Sequence, residues 1–536
     1  MSMESQVYDI VSKAWESLCR TLFGQSVGGL KDYEEWLSEY LEIPKARKSA
    51  ASGKSVYPVV DDYCEGARFV GFDELDFGRK FEPLNINDVK DIDDIIEALL
   101  ERFCYTGNVV LGNSKFVESS TNVSDSHFVY NSAIVSDSKY VAYGEKLRRC
   151  AYIFGGRWHG ESSHLVKSTQ GFRITRCFEC HNLYNSSDCY YCSKIDGCTD
   201  CMFSFGVRSK SRMIGNLDLS REKYRALKAK ILSELAEELR KEKKVFSLFE
   251  LIERADKIGS VAKLTLPKTE PPRPDNKIIE AAFARTTSVL LGRKLAGIDN
   301  YAKFLQRHVP EITFAKSPLS GRQFASTYLT EKLARKYNIG GRMLPEDEAW
   351  ALGELHARPE AMEGLRFDQD SLAKNIGSMA YFCFDEEVGK NSNMIDCVII
   401  TNAQDCYKGT ANIYSKKCAY SFWPRESEEV FGSSTVLESA FCINCYHSKK
   451  LNRAFECDSC ESCSDVYFSH NCENVHNSLF CFNSKNLNHA IGNSSLPADK
   501  YKSLKTDLLG QVVYELERTK NLKLDIYNLG CPPGRA

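Results

Sequence analysis

The feature that most constrains the fold of this chain is a repeat with a period of twelve residues. The tetrapeptides SKFV, SHFV, SKYV and CAYI begin at residues 114, 126, 138 and 150. A short period sustained over many units is typical of a solenoid, in which each unit stacks only on its neighbours. At about 3.3 Å per residue, a twelve-residue coil has a perimeter of roughly 40 Å and almost no interior. The repeat therefore predicts a narrow parallel β-solenoid.

The same period returns further along the chain. CFEC, CYYC and CMFS begin at 177, 189 and 201, and a second run of such units extends from 406 to 478. Residues 150 and 177 are not separated by a multiple of twelve, because three residues are left over. We therefore expect a three-residue insertion between 155 and 176 that bulges from the solenoid as a loop.

Two halves of the chain resemble each other. LFGQSVGGLKDYEEWL at 22–37 matches LLGRKLAGIDNYAKFL at 290–305 at a constant offset of 268. After the repeats, IGNLDLSREKYRALKAKIL in the first half matches IGNSSLPADKYKSLKTDLL in the second. Apolar residues in these last two segments keep helical spacing. These matches predict a tandem duplication, in which each copy has a helical portion, a solenoid and a C-terminal capping helix.

The expected fold class is mainly β with helices. LPKTEPPRPDNK carries four prolines and is predicted to be an extended linker. The expected segments are a helical portion at 1–105, a solenoid at 106–216, a helical cap at 217–265, the linker at 266–277, a helical portion at 278–380, a solenoid at 381–493, and a helical cap and tail at 494–536.

Cysteine is concentrated in the repeats, with six residues between 177 and 201 and seven between 442 and 481. Adjacent CxxC pairs could close a tetrahedral zinc site. However, at equivalent positions of successive repeats, cysteine alternates with serine, alanine and valine. A free cysteine packs as a small hydrophobe. We favour reduced, packed thiols with no cofactor, and zinc remains the alternative. The candidate ligands are Cys177, Cys180, Cys189, Cys192, Cys198, Cys201, Cys442, Cys445, Cys457, Cys460 and Cys463.

A column is a set of residues spaced twelve apart: Cys442, Cys445, Cys457 and Cys481 fall on two columns, Cys460 and Cys472 fall on a third, and only Cys463, which aligns with Cys198 of the first copy, falls on none of them. It is therefore the first position at which to look for a metal.

Two further segments are candidates for partner binding. GGRWHGESSH at 155–164, the expected loop, contains Arg157, Trp158, His159 and Glu161. Its expected counterpart, WPRESEE, contains Trp423 and Arg425. Tryptophan and arginine are favoured at binding hot spots. An acid-base or metal site here is disfavoured, because the second segment has no histidine.

Composition gives limited information about partners. With 70 basic and 72 acidic residues, the chain has no bulk charge that would favour nucleic acid or anionic membrane. No apolar run approaches the roughly eighteen residues of a membrane span, and the N-terminus lacks the pattern of a signal peptide. We expect a cytoplasmic protein, or a virion protein if it is encoded by a phage, that does not bind membranes.

The cysteine pairs followed by SLFCFNSKNLNHAIGN and a tyrosine-bearing helix resemble uncharacterised cysteine-rich repeat proteins of bacterial and phage genomes. The resemblance covers about 175–235 and 440–515. It implies architecture only. The coil is also similar to that of insect antifreeze solenoids, but the threonine ladder of those proteins is missing here.

Three functions remain open. The leading prediction is a non-enzymatic structural or adaptor protein, which docks onto a larger assembly such as a virion or a ribonucleoprotein through its solenoid faces, side loops and helices. Its partners would be proteins, with nucleic acid only as part of the assembly and no small-molecule substrate. The alternatives are a zinc-stabilised binding module, possibly for nucleic acid, and a carbohydrate-active β-solenoid enzyme, although so narrow a coil offers no cleft.

Overall fold

The protein has a mixed α/β architecture of many parallel strands in stacked sheets, with helices packed against them. The computed structural model describes residues 6–41, 45–82, 91–149, 151–159, 163–167, 169–171, 175–257, 275–354 and 366–531. None of the helices in these ranges is long and apolar enough to cross a membrane. The α-helices are α1 Gln6–Phe23, α2 Glu34–Leu37, α3 Ile92–Leu99, α4 Arg221–Glu242, α5 Leu248–Lys257, α6 Lys277–Leu291, α7 Ala302–Leu305, α8 Tyr328–Lys336, α9 Glu346–Glu354, α10 Gln369–Ile376 and α11 Ala498–Thr519.

We call the stack of parallel strands from β5 to β22 the first ladder. Its alternate strands form a ten-stranded and a nine-stranded sheet. The strands of this half are β1 Arg47–Lys48, β2 Ser55–Val56, β3 Phe69–Gly71, β4 Tyr105–Gly107, β5 Val110–Leu111, β6 Lys115–Glu118, β7 Thr121–Ser124, β8 His127–Tyr130, β9 Ala133–Ser136, β10 Lys139–Ala142, β11 Glu145–Arg148, β12 Ala151–Phe154, β13 Arg157–His159, β14 Ser163–Val166, β15 Thr169–Gly171, β16 Thr175–Phe178, β17 His181–Tyr184, β18 Ser187–Tyr190, β19 Ser193–Asp196, β20 Thr199–Met202, β21 Phe205–Arg208, β22 Ser211–Ile214 and β23 Leu217–Asp218.

We call the stack from β26 to β39 the second ladder, and an antiparallel hairpin of β24 and β25 precedes it. The strands of this half are β24 Ile312–Lys316, β25 Gln323–Thr327, β26 Glu387–Val388, β27 Ser392–Ile395, β28 Val398–Thr401, β29 Gln404–Tyr407, β30 Thr410–Ile413, β31 Phe422–Arg425, β32 Glu428–Phe431, β33 Ser434–Leu437, β34 Ala440–Lys449, β35 Asn452–Asp458, β36 Ser464–Glu473, β37 His476–Leu479, β38 Phe482–Lys485, β39 Asn488–Ile491 and β40 Ser494–Ser495.

After the first step of each ladder, its parallel strands pair at an offset of twelve residues, as the repeat predicts. The register continues through the region where we expected an insertion: Ala151 pairs with Ser163, and Ser163 pairs with Thr175. The expected bulge at 155–164 is therefore wrong for the described residues, since Arg157–His159 is a strand of the sheet. The insertion was inferred because SKFV and CFEC were aligned by their first residues. Cys177 is instead equivalent to Val117, the last residue of SKFV, because the two are sixty residues, or five repeats, apart.

A second, shorter period lies beneath the twelve-residue one. From Phe116 to Arg149, every third residue has a positive φ, between 45° and 60°. The same holds from Asn393 to His489. This left-handed region costs most L-residues free energy, and Asn and Asp tolerate it best. The residue that follows each positive φ faces the interior of the ladder and is buried, as Ser120, Val123, Ser126 and Val129 illustrate.

Inward serines and cysteines connect successive rungs, where a rung is one twelve-residue repeat. The Ser126 hydroxyl donates to the Ser124 carbonyl at 2.8 Å and accepts from the backbone N–H of Ser138 at 3.0 Å. In the second ladder, Ser433 donates to the Phe431 carbonyl and accepts from the N–H of Cys445. A small hydrogen-bonding side chain therefore satisfies backbone groups that would otherwise be buried without partners.

Each half of the chain packs against the ladder of the other half. Tyr63 and Tyr105, from the first half, share a hydrophobic core with Phe482 of the second ladder. In return, Phe382 shares a core with Phe178 of the first ladder. Helix α9 approaches β21 so closely that a Cβ on Gly353 would overlap the Gly206 carbonyl. The two halves are thus held together by two reciprocal interfaces.

Both ladders end in the same way at their C-terminal side. A short antiparallel strand pairs with the last rung, β23 with β22 and β40 with β39. The predicted C-terminal helices follow as α4 and α11, and each ends at a lysine in the left-handed conformation, Lys243 and Lys520. After α11 the chain returns to the first half, where Cys531 forms a disulfide with Cys64.

His181 lies at one of the reciprocal interfaces. Its ring is buried, with its centroid 4.4 Å from that of Phe382 and 5.1 Å from that of Phe384. Within the described part of the chain, neither ring nitrogen has a hydrogen-bond partner. Burial, reinforced by the positive charge of Lys194, lowers the pKa of His181 to about 3. The native structure therefore holds this ring neutral.

We expect His181→Phe to change the pH dependence of stability. The folded pKa of about 3 lies below the ordinary value of 6.5, so protonation below pH 6.5 favours the unfolded chain. Relative to the variant, the wild type should lose about 2 kcal/mol of unfolding free energy between pH 7 and pH 5. Urea unfolding at both pH values measures this difference. Equal losses in the two proteins would contradict a neutral, buried His181.

Candidate functional site

The candidate metal ligands all occupy inward positions of the ladders, at intervals that are multiples of three. In the first ladder, Cys177, Cys189 and Cys201 are stacked on successive rungs. In the second, Cys445 pairs with Cys457, and Cys457 pairs with Ser469. The CxxC spacing follows from the three-residue period, because two consecutive inward positions are three residues apart.

Cys463 also fits this pattern, so treating it as an exception was incorrect. Its thiol donates to the Glu461 carbonyl at 3.2 Å and accepts from the N–H of Val475 at 3.4 Å. These are the two bonds that Ser126 makes in the first ladder. Cys463 lies in a column of turn residues. Aligning SKFV with CINC by their first residues places this column on a column of strand residues, which is why Cys463 looked like an exception.

The thiols are bonded to the backbone of their own ladder. Cys180, for example, accepts from the N–H of Cys192 at 3.4 Å and donates to the Phe178 carbonyl at 3.3 Å. Burial raises the pKa of Cys445 and Cys457 well above its ordinary value, and raises that of Cys481 to about 12. Cys445, Cys457 and Cys481 are therefore protonated at neutral pH, whereas a zinc ligand must be a thiolate. In the first ladder, hydrogen bonds from neighbouring thiols instead lower the pKa of Cys177, Cys192 and Cys201 below its ordinary value.

The described residues contain no cluster of three or more His, Cys, Asp or Glu side chains that could hold a metal ion. The cysteines instead join Val, Ile, Leu and Ala in one apolar interior for each ladder. Neighbouring thiols of one column, such as Cys177 and Cys189, lie one rung apart. The geometry favours packing over coordination.

The two candidate partner-binding segments are strands rather than loops. Arg157, Trp158 and His159 form β13, whose register pairs His159 with Leu147. Glu161 lies outside the described residues. The structure therefore brings these four residues into no described site.

In the second ladder, Trp423 and Arg425 belong to β31. Trp423 is partly buried and contacts both cores that join the halves. The Arg425 guanidinium pairs with Glu426 at 3.2 Å. Trp423 therefore has a packing role at the junction, which the residue types alone did not indicate.

A buried polar cluster around Asp458 was missed by sequence reasoning. The Nδ1 atoms of His447 and His470 lie 3.0 and 2.9 Å from its two carboxylate oxygens, and the Tyr527 hydroxyl donates to it at 3.1 Å. Burial alone would raise the pKa of Asp458, but hydrogen bonds from the two histidines outweigh it and hold the pKa well below its usual range. Asp458 is therefore ionised and fully bonded.

The second nitrogen of His470 decides what this cluster can do. Its Nε2 accepts from the backbone N–H of Thr106 at 2.9 Å, so its proton must be on Nδ1, facing Asp458. A general base needs a free Nε2 that can reach a substrate. The cluster therefore joins the second ladder, the first half and the C-terminal tail, and His470 is not free to act as a general base.

The hairpin of β24 and β25 carries a large exposed apolar side chain. The Phe314 side chain is 50% exposed. Beside it is a groove of about 400 Å³, whose lining includes Thr313, Lys316, Ser326 and Arg335. The groove therefore combines an exposed apolar ring with two cationic side chains, Lys316 and Arg335.

Substitutions at Cys457 separate packing from metal ligation. Ser469 occupies the same position on the next rung and makes the same bond to the carbonyl two residues earlier, at 3.0 Å. Cys457→Ser should therefore cost about 1 kcal/mol of unfolding free energy. Cys457→Leu should cost about 3 kcal/mol, because the narrow interior cannot accept the added volume. Chemical denaturation of both variants measures the difference; equally large losses would indicate a ligand.

Metal content is the direct test of the zinc alternative. We expect less than one zinc per chain by elemental analysis of protein purified without chelator. We also expect the unfolding midpoint to be unchanged by a strong chelator, because the thiols are bonded to backbone carbonyls and packed in the apolar interiors of the ladders. Stoichiometric zinc, with a lower midpoint after chelation, would overturn the packing interpretation.

Comparison of the chain with protein-family models, with curated proteins and with solved structures finds no match. The candidate function therefore rests on the geometry described above.

Proposed function

We propose that this protein is a non-enzymatic structural adaptor, built from two narrow β-solenoids related by tandem duplication, that docks onto a larger macromolecular assembly such as a virion or a ribonucleoprotein. The observation that carries the proposal is the contrast between a closed interior and an exposed aromatic surface. Inward polar groups such as Ser126 and Cys180 are bonded within the ladder, while Phe314 is exposed beside its groove.

The solenoid interpretation is supported by the combination of the two periods. A positive φ at every third residue bends the chain, and four bends occur in each twelve residues. Four sides of three residues each would close one coil, and the next coil would pair with it at an offset of twelve, which is the observed register. The interior of such a coil holds only the inward side chains, which accounts for their small size.

The duplication is supported by features at an offset of 277. Gly112 and Gly389 precede the first full rung of each ladder, and Lys243 and Lys520 end the two long helices. The first register step is thirteen rather than twelve in both ladders, Val110 with Val123 and Glu387 with Ile400. A shared irregularity is stronger support for common origin than the shared period, because the period follows from the architecture.

An adaptor needs a rigid frame and a surface left free for its partner. The reciprocal interfaces and the Cys64–Cys531 disulfide join the two halves into such a frame. The hairpin packs on this frame through Ile312, Ala315 and Phe324, and leaves Phe314 exposed with Lys316 and Arg335 at its groove. These charges suit a partner surface that combines apolar and acidic side chains.

The test is co-purification from the native source, with tagged wild-type protein and a Phe314→Ser variant. We expect the wild type to migrate as part of a large complex and the variant to lose most of that association, since the exposed ring contributes to binding but not to the core. Val289→Ser is the matched control, because it removes another exposed apolar side chain, on α6. Wild-type protein that is recovered alone would contradict the adaptor role.

A further inference from the structure

The first ladder begins with an open strand edge. Among the described strands, β6 is the last of the ten-stranded sheet and pairs only with β8. Val117 of β6 is half-buried, whereas Val129 and Val141, which stack on it in the next rungs, are fully buried. Ser114 is likewise half-buried, although Ser126 and Ser138 are buried. In the part of the chain that the structure describes, the interior column is therefore uncovered at this end.

Among the described residues, only half of this end is closed by the chain itself. Next to β5, the backbone of Tyr57 accepts from the N–H of Asn108 at 3.0 Å, and the Asn108 side chain accepts from the N–H of Tyr57 at 2.8 Å. The segment containing β2 thereby covers the β5 side. Unprotected strand edges pair readily with other strands. The open edge of β6 is therefore a candidate site for pairing with a further strand.

The open edge also carries the end of an aromatic stack. The ring of Phe116 lies 4.9 Å from that of Phe128, with 5° between their planes, and Phe128 lies 5.2 Å from Tyr140 in the same manner. The Phe116 side chain is 46% exposed. In β27, the first full strand of the second ladder, the same place is taken by Asn393, which donates to Asp405 at 2.8 Å. At this end, the first ladder therefore exposes the apolar ring of Phe116, whereas the side-chain amide of Asn393 in the second ladder is hydrogen-bonded.

The charges of β6 identify the occupant. The strand reads KFVE, with Lys115 at one end and Glu118 at the other. Within the described ranges, neither has an oppositely charged side chain at ion-pair distance. An antiparallel pair of two such strands, related by a two-fold axis, would place each Lys115 beside Glu118 of the other copy. The edge is complementary to itself.

We infer that β6 is a homodimerisation edge, on which a second copy of this chain pairs antiparallel and brings the two Phe116 rings together near the two-fold axis. The contact has the cross-section of one rung and is smaller than a standard protein interface, so the dimer is weak, with a dissociation constant on the order of tens of micromolar. This inference is independent of the adaptor role, which uses the hairpin.

Sedimentation velocity of the full chain over a wide concentration range is the test, with charge reversals as the variants. Lys115→Glu and Glu118→Lys should each weaken the dimer by about tenfold, because each places two like-charged pairs at the two-fold interface. The double variant restores both pairs with their signs exchanged, and its dissociation constant should return to within about threefold of the wild type. Mixing the two single variants should also restore association.

Two further variants control for the stack and for charge alone. Phe116→Asn reproduces the residue of β27 and should weaken the dimer by at least about tenfold. Lys139→Glu reverses an exposed charge in the same column two rungs further into the ladder, and should leave the dissociation constant unchanged. Circular dichroism of each variant confirms that the fold is retained.

The outcomes are decisive in both directions. Rescue by the double variant, with loss in each single variant, supports the antiparallel pairing of two copies. A wild type that is monomeric at all concentrations overturns it, as does a dimer that none of these variants weakens. Failure of the double variant to restore association also overturns it. So does capture of a different protein through Phe116 by a chain that does not self-associate.

Discussion

The space inside one rung is the constraint on which the rest of the structure depends. Every third residue faces inward, and its side chain must fit between the rungs above and below it. Serine and cysteine meet this condition and also bond to the backbone, as Ser126 and Cys463 do with the N–H groups of Ser138 and Val475. The cost of placing every third residue in the left-handed region is offset by the regular pairing of the rungs. Cysteine is therefore abundant here because it is small and can satisfy a buried donor, and a metal is not needed to explain it.

The ladders alone would be separate bodies, and the reciprocal packing makes them one molecule. Tyr105 is buried against the second ladder, and its hydroxyl donates to the Ile526 carbonyl of the C-terminal tail at 2.8 Å. Asp458 receives bonds from two histidines of its own ladder and from Tyr527 of the tail. A buried ionised carboxylate is tolerated only when it is bonded in this way, so the cluster fixes the position of every segment that contributes to it. These buried polar contacts therefore hold the two halves in one relative position.

The sequence predicted the ladders well because their information is local and periodic. The offset of twelve, the small inward columns and the helices α4 and α11 all follow from spacing within a short stretch of chain. The error at 155–164 came from the same source, since matching cysteine pairs could slip by three residues without leaving an inward position. The candidate site was predicted less well. The cysteines were identified, but Cys463 was placed outside the columns and Trp423 was assigned to a loop. His470 lies one rung from Asp458, so the twelve-residue repeat places the two side by side, but nothing in the sequence indicated that Thr106 and Tyr527 complete the cluster, because they come from distant segments.

By itself, then, the sequence determined the twelve-residue register, the small size of the inward residues and the succession of repeat and helix in each half. These depend on the neighbours of each residue along the chain and on its neighbour one rung away. Only the tertiary structure decided the exchange of packing between the halves and the disulfide between Cys64 and Cys531. The physical reason is that these contacts join residues hundreds of positions apart, such as Thr106 and His470. The pairing of such residues depends on the shapes of the assembled ladders. It cannot be predicted from the spacing of residues along the chain.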